Sequence, residues 1–326
     1  MNTKILSIEK LNKTFLHGKV QALKDCSLTV SKNSITGLLG MNGAGKTTLI
    51  KCVANLLIPC SGNIYFNNES LLKKPTIVTD NISVLLDGGR NLFWYMTVEE
   101  NIKYFSLLKN SNKFDKTRFA KIAEYLELEP ILKKQLHRLS FGMKQRANIA
   151  VALMSSAQLL IFDEPTTGLD VKFQAELERL IVDINKEYGV SILLSSHDME
   201  FVKRTCTDCI LIHEGQTLKQ GSVQEFISLF ETSRYEVMLY EPLTDDVKKE
   251  LSNSFRITEM NDLSFTIFWN NNNELNEMFS KLNSFGVKVK MLNSENTLRS
   301  SITQLINNKS EENWDETSKK HLCVNL

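Results

Sequence analysis

A glycine-rich segment at residues 40–47, GMNGAGKT, has the residue types and the spacing of a phosphate-binding loop. Glycines let successive backbone N–H groups turn toward a phosphate, and the Lys46 ammonium can reach the β- and γ-phosphates of a nucleotide. The Thr47 hydroxyl is a suitable ligand for Mg²⁺. An apolar strand predicted at 35–39 and a helix predicted at 47–57 flank the loop, as this motif requires. The predicted nucleotide contacts in the loop are Asn42, Gly43, Ala44, Gly45, Lys46, Thr47 and Thr48.

Two adjacent carboxylates follow the continuous apolar run at residues 158–162, QLLIF. Asp163, at the end of this predicted strand, is placed to hold Mg²⁺ directly or through water. Glu164 lies beside it at the carboxyl edge of the strand, where a carboxylate can polarise a water for attack on the γ-phosphate. The plainer interpretation of Glu164 is a surface glutamate at a strand end.

The composition is that of an ordinary globular protein of one large domain or two. The chain has 326 residues, of which 42% are hydrophobic and 24% charged. Because 39 Lys and Arg nearly balance 38 Asp and Glu, for a net charge of +1, we expect no nucleic-acid partner. No apolar run is long enough to cross a membrane or to form an export signal, so we expect neither. The spacing of Cys206 and Cys209, without a second such pair, predicts reduced thiols rather than a zinc site.

The elements that must position these residues are short apolar strands that alternate with amphipathic helices. This order predicts an α/β fold with a parallel sheet covered on both faces. The predicted strands are 5–8, 22–30, 35–39, 158–162 and 191–195, and the predicted helices are 47–57, 98–107, 114–128, 141–154 and 171–187.

A second anion-binding segment, LSFGMKQR at 139–146, opens a predicted helix with a serine and a glycine. With the loop at 40–47 and the two carboxylates, it resembles the nucleotide-binding subunits of ABC transporters, whose signature is usually Leu-Ser-Gly-Gly-Gln. His197 is similar to the switch histidine of that family, and the segment TTGLD at 166–170 is similar to the loop that crosses its dimer interface. The resemblance covers about residues 4–225.

The resemblance implies a P-loop ATPase that binds ATP and Mg²⁺ and shares each site between two subunits. Ser140 and Gly142 of one subunit would contact the γ-phosphate held by the phosphate-binding loop of the other, so a monomer would be nearly inactive. Glu164 and His197 would be the catalytic residues, and Asp170 would belong to the nucleotide site. Phe15 is similar to the aromatic residue that stacks on adenine, although packing in the core explains it equally well.

Two positions depart from the family pattern. The family glutamine that senses the γ-phosphate corresponds to Asp87, a shorter and charged residue that we expect to reach Mg²⁺ through a water. Phe141 and Met143 replace the usual glycine and glutamine of the signature. Because Ser140 and Gly142 are retained, we expect a competent site.

An aromatic segment at 91–96, NLFWYM, follows Asp87. It fits either the core or a groove that receives a cytoplasmic helix of a membrane permease. The resemblance to ABC transporters implies as partners permease subunits and a second ATP-binding subunit, identical or paralogous, with the chain held peripherally at the cytoplasmic face of the cell membrane.

The chain is predicted to form an ABC ATPase domain at 1–231, with a helical subdomain at about 90–155, and an accessory domain at 232–306. The accessory segment has the order β-α-β-β-α-β of a ferredoxin-like fold, ending in a helix at 297–306, and support of the dimer is its favoured role. A flexible polar tail is predicted at 307–326.

Three kinds of ABC protein fit these motifs to different degrees. We favour the ATP-binding subunit of an exporter of drugs, lipids or peptides, because of the form of the signature and the appended α/β domain. A soluble ATPase acting in translation is the alternative, but such proteins resemble two of these domains in tandem. A DNA-repair or chromosome ATPase would need a long heptad-bearing insertion between the phosphate loop and the signature, and the segment there is too short.

Overall fold

The computed structural model describes residues 3–15, 18–86, 92–109, 114–230, 233–269 and 272–294. The chain divides into two compact units, Met1–Val223 and Gln224–Leu326. The predicted separation into domains 1–231 and 232–306 stays a prediction. Asp87, the predicted helix at 297–306 and the predicted tail at 307–326 lie outside the described residues.

The first unit holds two sheets and a set of helices. The strands are β1 Lys4–Phe15, β2 Val20–Ser31, β3 Ile35–Leu39, β4 Ser61–Phe66, β5 Glu69–Ser70, β6 Ile82–Leu85, β7 Leu159–Asp163, β8 Ser191–Ser196, β9 Asp208–His213 and β10 Gln216–Ser222. The helices are α1 Lys46–Val53, α2 Thr76–Asn81, α3 Val98–Lys109, α4 Lys116–Tyr125, α5 Phe141–Leu153, α6 Val171–Tyr188 and α7 Met199–Thr205, and α8 Val223–Phe230 begins at the boundary between the units.

The central sheet has the strand order β10-β9-β3-β8-β7-β6. Strands β6, β7, β8, β3 and β9 are parallel, and β10 pairs antiparallel at one edge. Every residue of β3, β7 and β8 is buried, which explains why these strands are nearly continuous apolar runs. The predicted parallel α/β sheet is confirmed. A smaller antiparallel sheet has the order β2-β1-β4-β5.

Helices α3, α4 and α5 lie between β6 and β7 in sequence, in the predicted helical segment. Asp115 begins α4 by accepting a hydrogen bond from the Arg118 N–H at 2.9 Å. Helix α4 ends at Tyr125, before the predicted end at residue 128, and Glu127 has a φ of 45° in the left-handed region. Helix α1 likewise ends before residue 57, because Asn55 has a φ of 55°.

The second unit contains β11 Ser233–Leu239, α9 Asp245–Ser254, β12 Arg256–Met260, β13 Ser264–Trp269, α10 Asn272–Ser284 and β14 Val289–Ser294. Its sheet is antiparallel with the order β12-β13-β11-β14. This is the predicted ferredoxin-like pattern, and its core includes Val237, Leu251, Phe265 and Met278. Among the described residues of both units, no helix combines the length and apolar character needed to cross a bilayer.

Candidate nucleotide site

The loop between β3 and α1 is held close to its neighbours by glycines. A Cβ at Gly40 would lie 2.5 Å from the Ile212 carbonyl oxygen, and a Cβ at Gly45 would lie 2.6 Å from that of Ala22. Gly45 also has a φ of 104°, which L side chains rarely adopt. Packing and backbone geometry therefore both require glycine where the motif has it.

The predicted loop residues lie at the amino end of α1. Asn42 and Gly43 are exposed, Ala44 is buried, and Thr47 and Thr48 are half-buried on the first turn. A helix start with free N–H groups and a positive dipole end suits a phosphate. The loop is thus shaped and oriented for the anion that its sequence predicts.

The Lys46 ammonium is buried, with 6% of the side chain exposed, and turns back over its own loop. Its Nζ donates to the Gly40 carbonyl oxygen at 2.6 Å and lies 3.1 Å from Glu164 Oε1. The Glu164 side chain is 13% exposed, so solvent screens this ion pair little. In this arrangement the Glu164 carboxylate pairs with the Lys46 ammonium, the group that the motif assigns to phosphate binding.

Asp163 and Glu164 are joined by one buried hydroxyl at the carboxyl ends of β7 and β8. Ser195 Oγ donates to Asp163 Oδ1 at 2.6 Å and accepts the Glu164 backbone N–H at 3.0 Å. Glu164 takes a φ of 48°, a left-handed conformation that is uncommon outside glycine. The serine therefore fixes the backbone turn that points the two carboxylates in different directions.

His197 follows β8 and lies against the second oxygen of the same glutamate. Its Nδ1 is 2.9 Å from Glu164 Oε2, while more than half of the imidazole side chain is exposed. Glu164 is thus held between Lys46 on one oxygen and His197 on the other. A carboxylate fixed in this way is oriented for proton transfer to or from a group in the loop.

The residues also fit a hard divalent cation. Asp163 Oδ2 is buried and, among the described residues, has no hydrogen-bond partner. Together with the Thr47 hydroxyl it supplies the oxygen ligands that Mg²⁺ prefers. The contribution of Asp87 stays a prediction, since that residue is not among those described.

The signature segment begins α5 and packs against the loop at 166–170. Ser140 Oγ accepts the Met143 N–H at 3.3 Å as the helix cap. The Phe141 ring lies on Gly168, where a Cβ would come within 2.1 Å of it, and a Cβ at Gly142 would lie 3.1 Å from the Gly168 carbonyl oxygen. Asp170 caps α6 by accepting the Phe173 N–H at 3.0 Å.

The predicted site residues therefore form two groups. Lys46, Asp163, Glu164 and His197 meet at the loop, whereas no described hydrogen bond or ion pair joins Ser140 to any of them. Phe15 ends β1 half-buried, with the Lys13 ammonium 5.3 Å from its ring centroid. Its stacking on adenine stays a prediction.

Sequence reasoning missed Ser195, the hydroxyl that joins the two carboxylates. A polar residue at the end of an otherwise apolar strand, beside the strand that ends in Asp163, was the available signal. Parallel strands bring their carboxyl ends to one edge of the sheet, so such a residue falls next to the site.

The aromatic segment reaches the surface in the helical region. The side chains of Phe93, Trp94 and Tyr95 are exposed, with Trp94 at 52% and Tyr95 at 82%. Phe93 stacks on Phe105 with ring centroids 5.6 Å apart, and the Lys144 ammonium lies 5.2 Å from the Trp94 ring. The three rings therefore lie on the surface and not in the core, whereas Leu92 of the same segment is buried. The permease groove stays a prediction.

Three features together define a P-loop nucleoside triphosphatase. They are the mostly parallel sheet, the glycine loop that begins a helix, and the strand that ends in paired carboxylates. The family model described as ABC transporter matches residues 23–167. The chain is 36% identical over 222 residues to the ABC transporter ATP-binding protein NatA of Bacillus subtilis (strain 168), covering 68% of this chain and 89% of the relative. The chain belongs to the ABC transporter family as an ATP-binding protein, and it is an ATP hydrolase.

Other relatives carry different transport names. The methionine import ATP-binding protein MetN of Protochlamydia amoebophila (strain UWE25) is 34% identical, over 69% of this chain and 68% of the relative. The energy-coupling factor transporter ATP-binding protein EcfA2 of Clostridium perfringens (strain SM101 / Type A) is 30% identical, over 72% of this chain and 83% of the relative.

Solved structures share the fold. CbiO1 of Clostridium perfringens, part of the ABC transporter complex CbiONQ, matches with a TM-score of 0.60 and 29% identity, over 69% of this chain and 91% of that chain. The dimeric ATP-binding cassette MJ0796 bound to ADP and Pi matches with a TM-score of 0.61 and 23% identity, over 67% of this chain and 98% of that chain. The second match supports the fold alone.

Proposed function

We propose that this chain hydrolyses ATP at the interface of a dimer and thereby drives a transporter whose membrane subunits are separate chains. The observation that carries the proposal is the placement of Glu164 between Lys46 and His197, directly beside Asp163. It gives a carboxylate base, an orienting imidazole and a phosphate-binding cation in one cluster.

Each residue has a separate role in this scheme. Lys46 exchanges Glu164 for the β- and γ-phosphates when ATP enters the loop, and Glu164, still held by His197, orients the attacking water. Asp163 Oδ2 and Thr47 would hold Mg²⁺, which would neutralise charge on the phosphates. Ser195 fixes the orientation of Asp163 by donating to its other carboxylate oxygen.

The second subunit completes the site. Ser140 and the start of α5 are exposed and lack a described contact with the Lys46 cluster, so the signature is free to meet the nucleotide of another copy or paralogue. Phe141 supports this surface by packing on Gly168 of the loop that also belongs to the interface. ATP binding then favours the closed dimer and hydrolysis the open one, which is a shift between two populations.

The permease is assigned to the aromatic patch at 93–95. An apolar cavity of about 280 Å³ adjoins it and is lined by Leu56, Val84, Leu92, Phe105 and Val151, among others. Rigid aromatic rings beside an apolar cavity suit the insertion of a hydrophobic helix end. This contact would hold the chain at the cytoplasmic face of the cell membrane.

We propose export as the transport direction, because of the form of the signature and the appended ferredoxin-like unit. The relatives do not support one direction, because their printed names include methionine import. Accumulation of substrate in inverted membrane vesicles on addition of ATP supports export, and uptake that requires right-side-out vesicles contradicts it.

The first experiment is to tag the chain in its native host, solubilise membranes in mild detergent and identify what co-purifies. A multi-spanning permease in stoichiometric amount supports the proposed transporter. Recovery with ribosomes, or from the soluble fraction alone, contradicts it and favours a soluble ATPase, while the hydrolytic site remains.

A further inference from the structure

Arg118 forms a second cationic site. It lies at the end of the central sheet where β3, β7 and β8 begin, opposite to the end that carries the nucleotide loop. Arg118, in the first turn of α4, has only 8% of its surface exposed. Its Nε and Nη2 are buried and have no hydrogen-bond partner among the described residues. Such burial is costly, because the three N–H donors of these two nitrogens lose water without gaining a hydrogen bond.

The arginine is held in place by a ring rather than by a carboxylate. Its guanidinium carbon lies 4.2 Å from the centroid of the Tyr188 ring, which fixes the plane of the fork. The nearby acids have other partners, since Asp115 accepts the Arg118 backbone N–H and Glu187 pairs with Lys121 at 2.5 Å. Burial lowers the pKa of Arg118, whereas Tyr188, Asp115 and Glu187 act in the opposite direction.

Arg118 and Tyr188 line a cavity of about 300 Å³. The rest of the wall includes Lys32, Gln158, Ser191 and the apolar residues Ile5 and Val190, and no acidic side chain of the described residues lines it. The cavity lies where β3, β7 and β8 begin, whereas Asp163 and His197 lie at the carboxyl ends of those strands.

We propose that this cavity binds a small oxyanion, a carboxylate or a phosphate group, at a site separate from the nucleotide loop. A planar guanidinium forms parallel hydrogen bonds with such groups, and Lys32 adds a second positive charge at the same wall. The Ser191 hydroxyl accepts the Asn33 N–H at 2.9 Å and still has its own proton to donate, whereas the Gln158 amide already bonds Asn67 and Asn81. The anion would join α4 of the helical segment to the sheet, because residues of both line the cavity.

The test is calorimetric titration of the full chain with sodium acetate or inorganic phosphate, in matched ionic strength and with the nucleotide loop filled by saturating MgADP. We expect the wild type to bind one of the two anions at one site. Arg118→Met should weaken that binding by at least about tenfold, because it removes charge-assisted hydrogen bonds. Phosphate binding alone would assign a phosphate ligand, and acetate binding alone a carboxylate ligand.

Three further variants separate binding from folding. Arg118→Lys keeps the charge without the fork and should bind more weakly than wild type, and Lys32→Met should weaken binding to a smaller degree. The control Arg204→Met removes an arginine already paired with Glu178 at 2.9 Å and should bind as wild type does. Equal binding by wild type and both Arg118 variants, or no binding of either anion by wild type, overturns the proposal.

Discussion

Replacing Glu164 by glutamine separates nucleotide binding from hydrolysis at this site. Glutamine keeps the size of the side chain and can still contact His197, but it carries no charge for Lys46. In the structure the Lys46–Glu164 ion pair spans 3.1 Å with both side chains largely buried. ATP must break this pair to reach the Lys46 ammonium, so the pair opposes nucleotide binding.

The size of the effect follows from the burial of the pair. A hydrogen bond to a charged group contributes about 1.5–3 kcal/mol, and we take this as the scale of the buried Lys46–Glu164 ion pair, whose atoms lie 3.1 Å apart. Removing the competing carboxylate should therefore tighten ATP binding by roughly 10- to 150-fold. Loss of the base should lower turnover by roughly 10²- to 10⁴-fold.

Fluorescence titration with a labelled ATP analogue gives the dissociation constant of Glu164→Gln, and phosphate release gives its turnover. The matched control is Glu178→Gln, which removes a carboxylate paired with Arg204 outside the site. An affinity within twofold of wild type would refute competition for Lys46, and unchanged turnover would remove Glu164 from the role of base. The control should change neither quantity.

Two further substitutions test the surroundings of the site. Trp94→Ala should reduce permease co-purification and transport several-fold more than basal ATPase activity, because it removes an exposed ring. The control is Ile58→Ala, at another exposed position. Equal loss of transport and ATPase activity in Trp94→Ala, or the same effect in the control, would contradict this. Ser195→Ala should lower the free energy of unfolding by about 1–3 kcal/mol, because Asp163 loses a buried donor. Chemical denaturation measures this free energy, and a value equal to that of the wild type would contradict the prediction.

Much of the fold could be predicted because local pattern and tertiary position agree. Strands such as β7 and β8 are buried on both faces, so an unbroken apolar run identifies them. The ferredoxin-like order of the second unit could be predicted in the same way, because segments with the apolar spacing of strands alternate with segments that have the spacing of helices. The phosphate-binding loop could be predicted from its glycines, because Gly45 takes a φ that other residues resist and Gly40 lies too close to the Ile212 carbonyl oxygen for a side chain.

What could not be predicted depends on contacts between distant segments. The Lys46–Glu164 pair joins the first residue of α1 to the residue that follows β7, and no local pattern shows that a lysine expected to bind phosphate already pairs with a carboxylate. Packing of Phe141 on Gly168 is of the same kind. The end of α1 was predicted too late in the chain, because the helix stops at a single residue in the left-handed conformation, Asn55.

The claim that two subunits share each ATP site is tested most directly by mixing inactive variants. Lys46→Ala removes the phosphate-binding cation and Ser140→Arg blocks the signature, so each variant alone should be inactive. A mixed dimer keeps one complete site, built from the loop of one subunit and the signature of the other. We expect equal mixing to restore turnover to roughly a quarter of wild type. A mixture as inactive as its components, although mixed dimers form, would contradict the shared site.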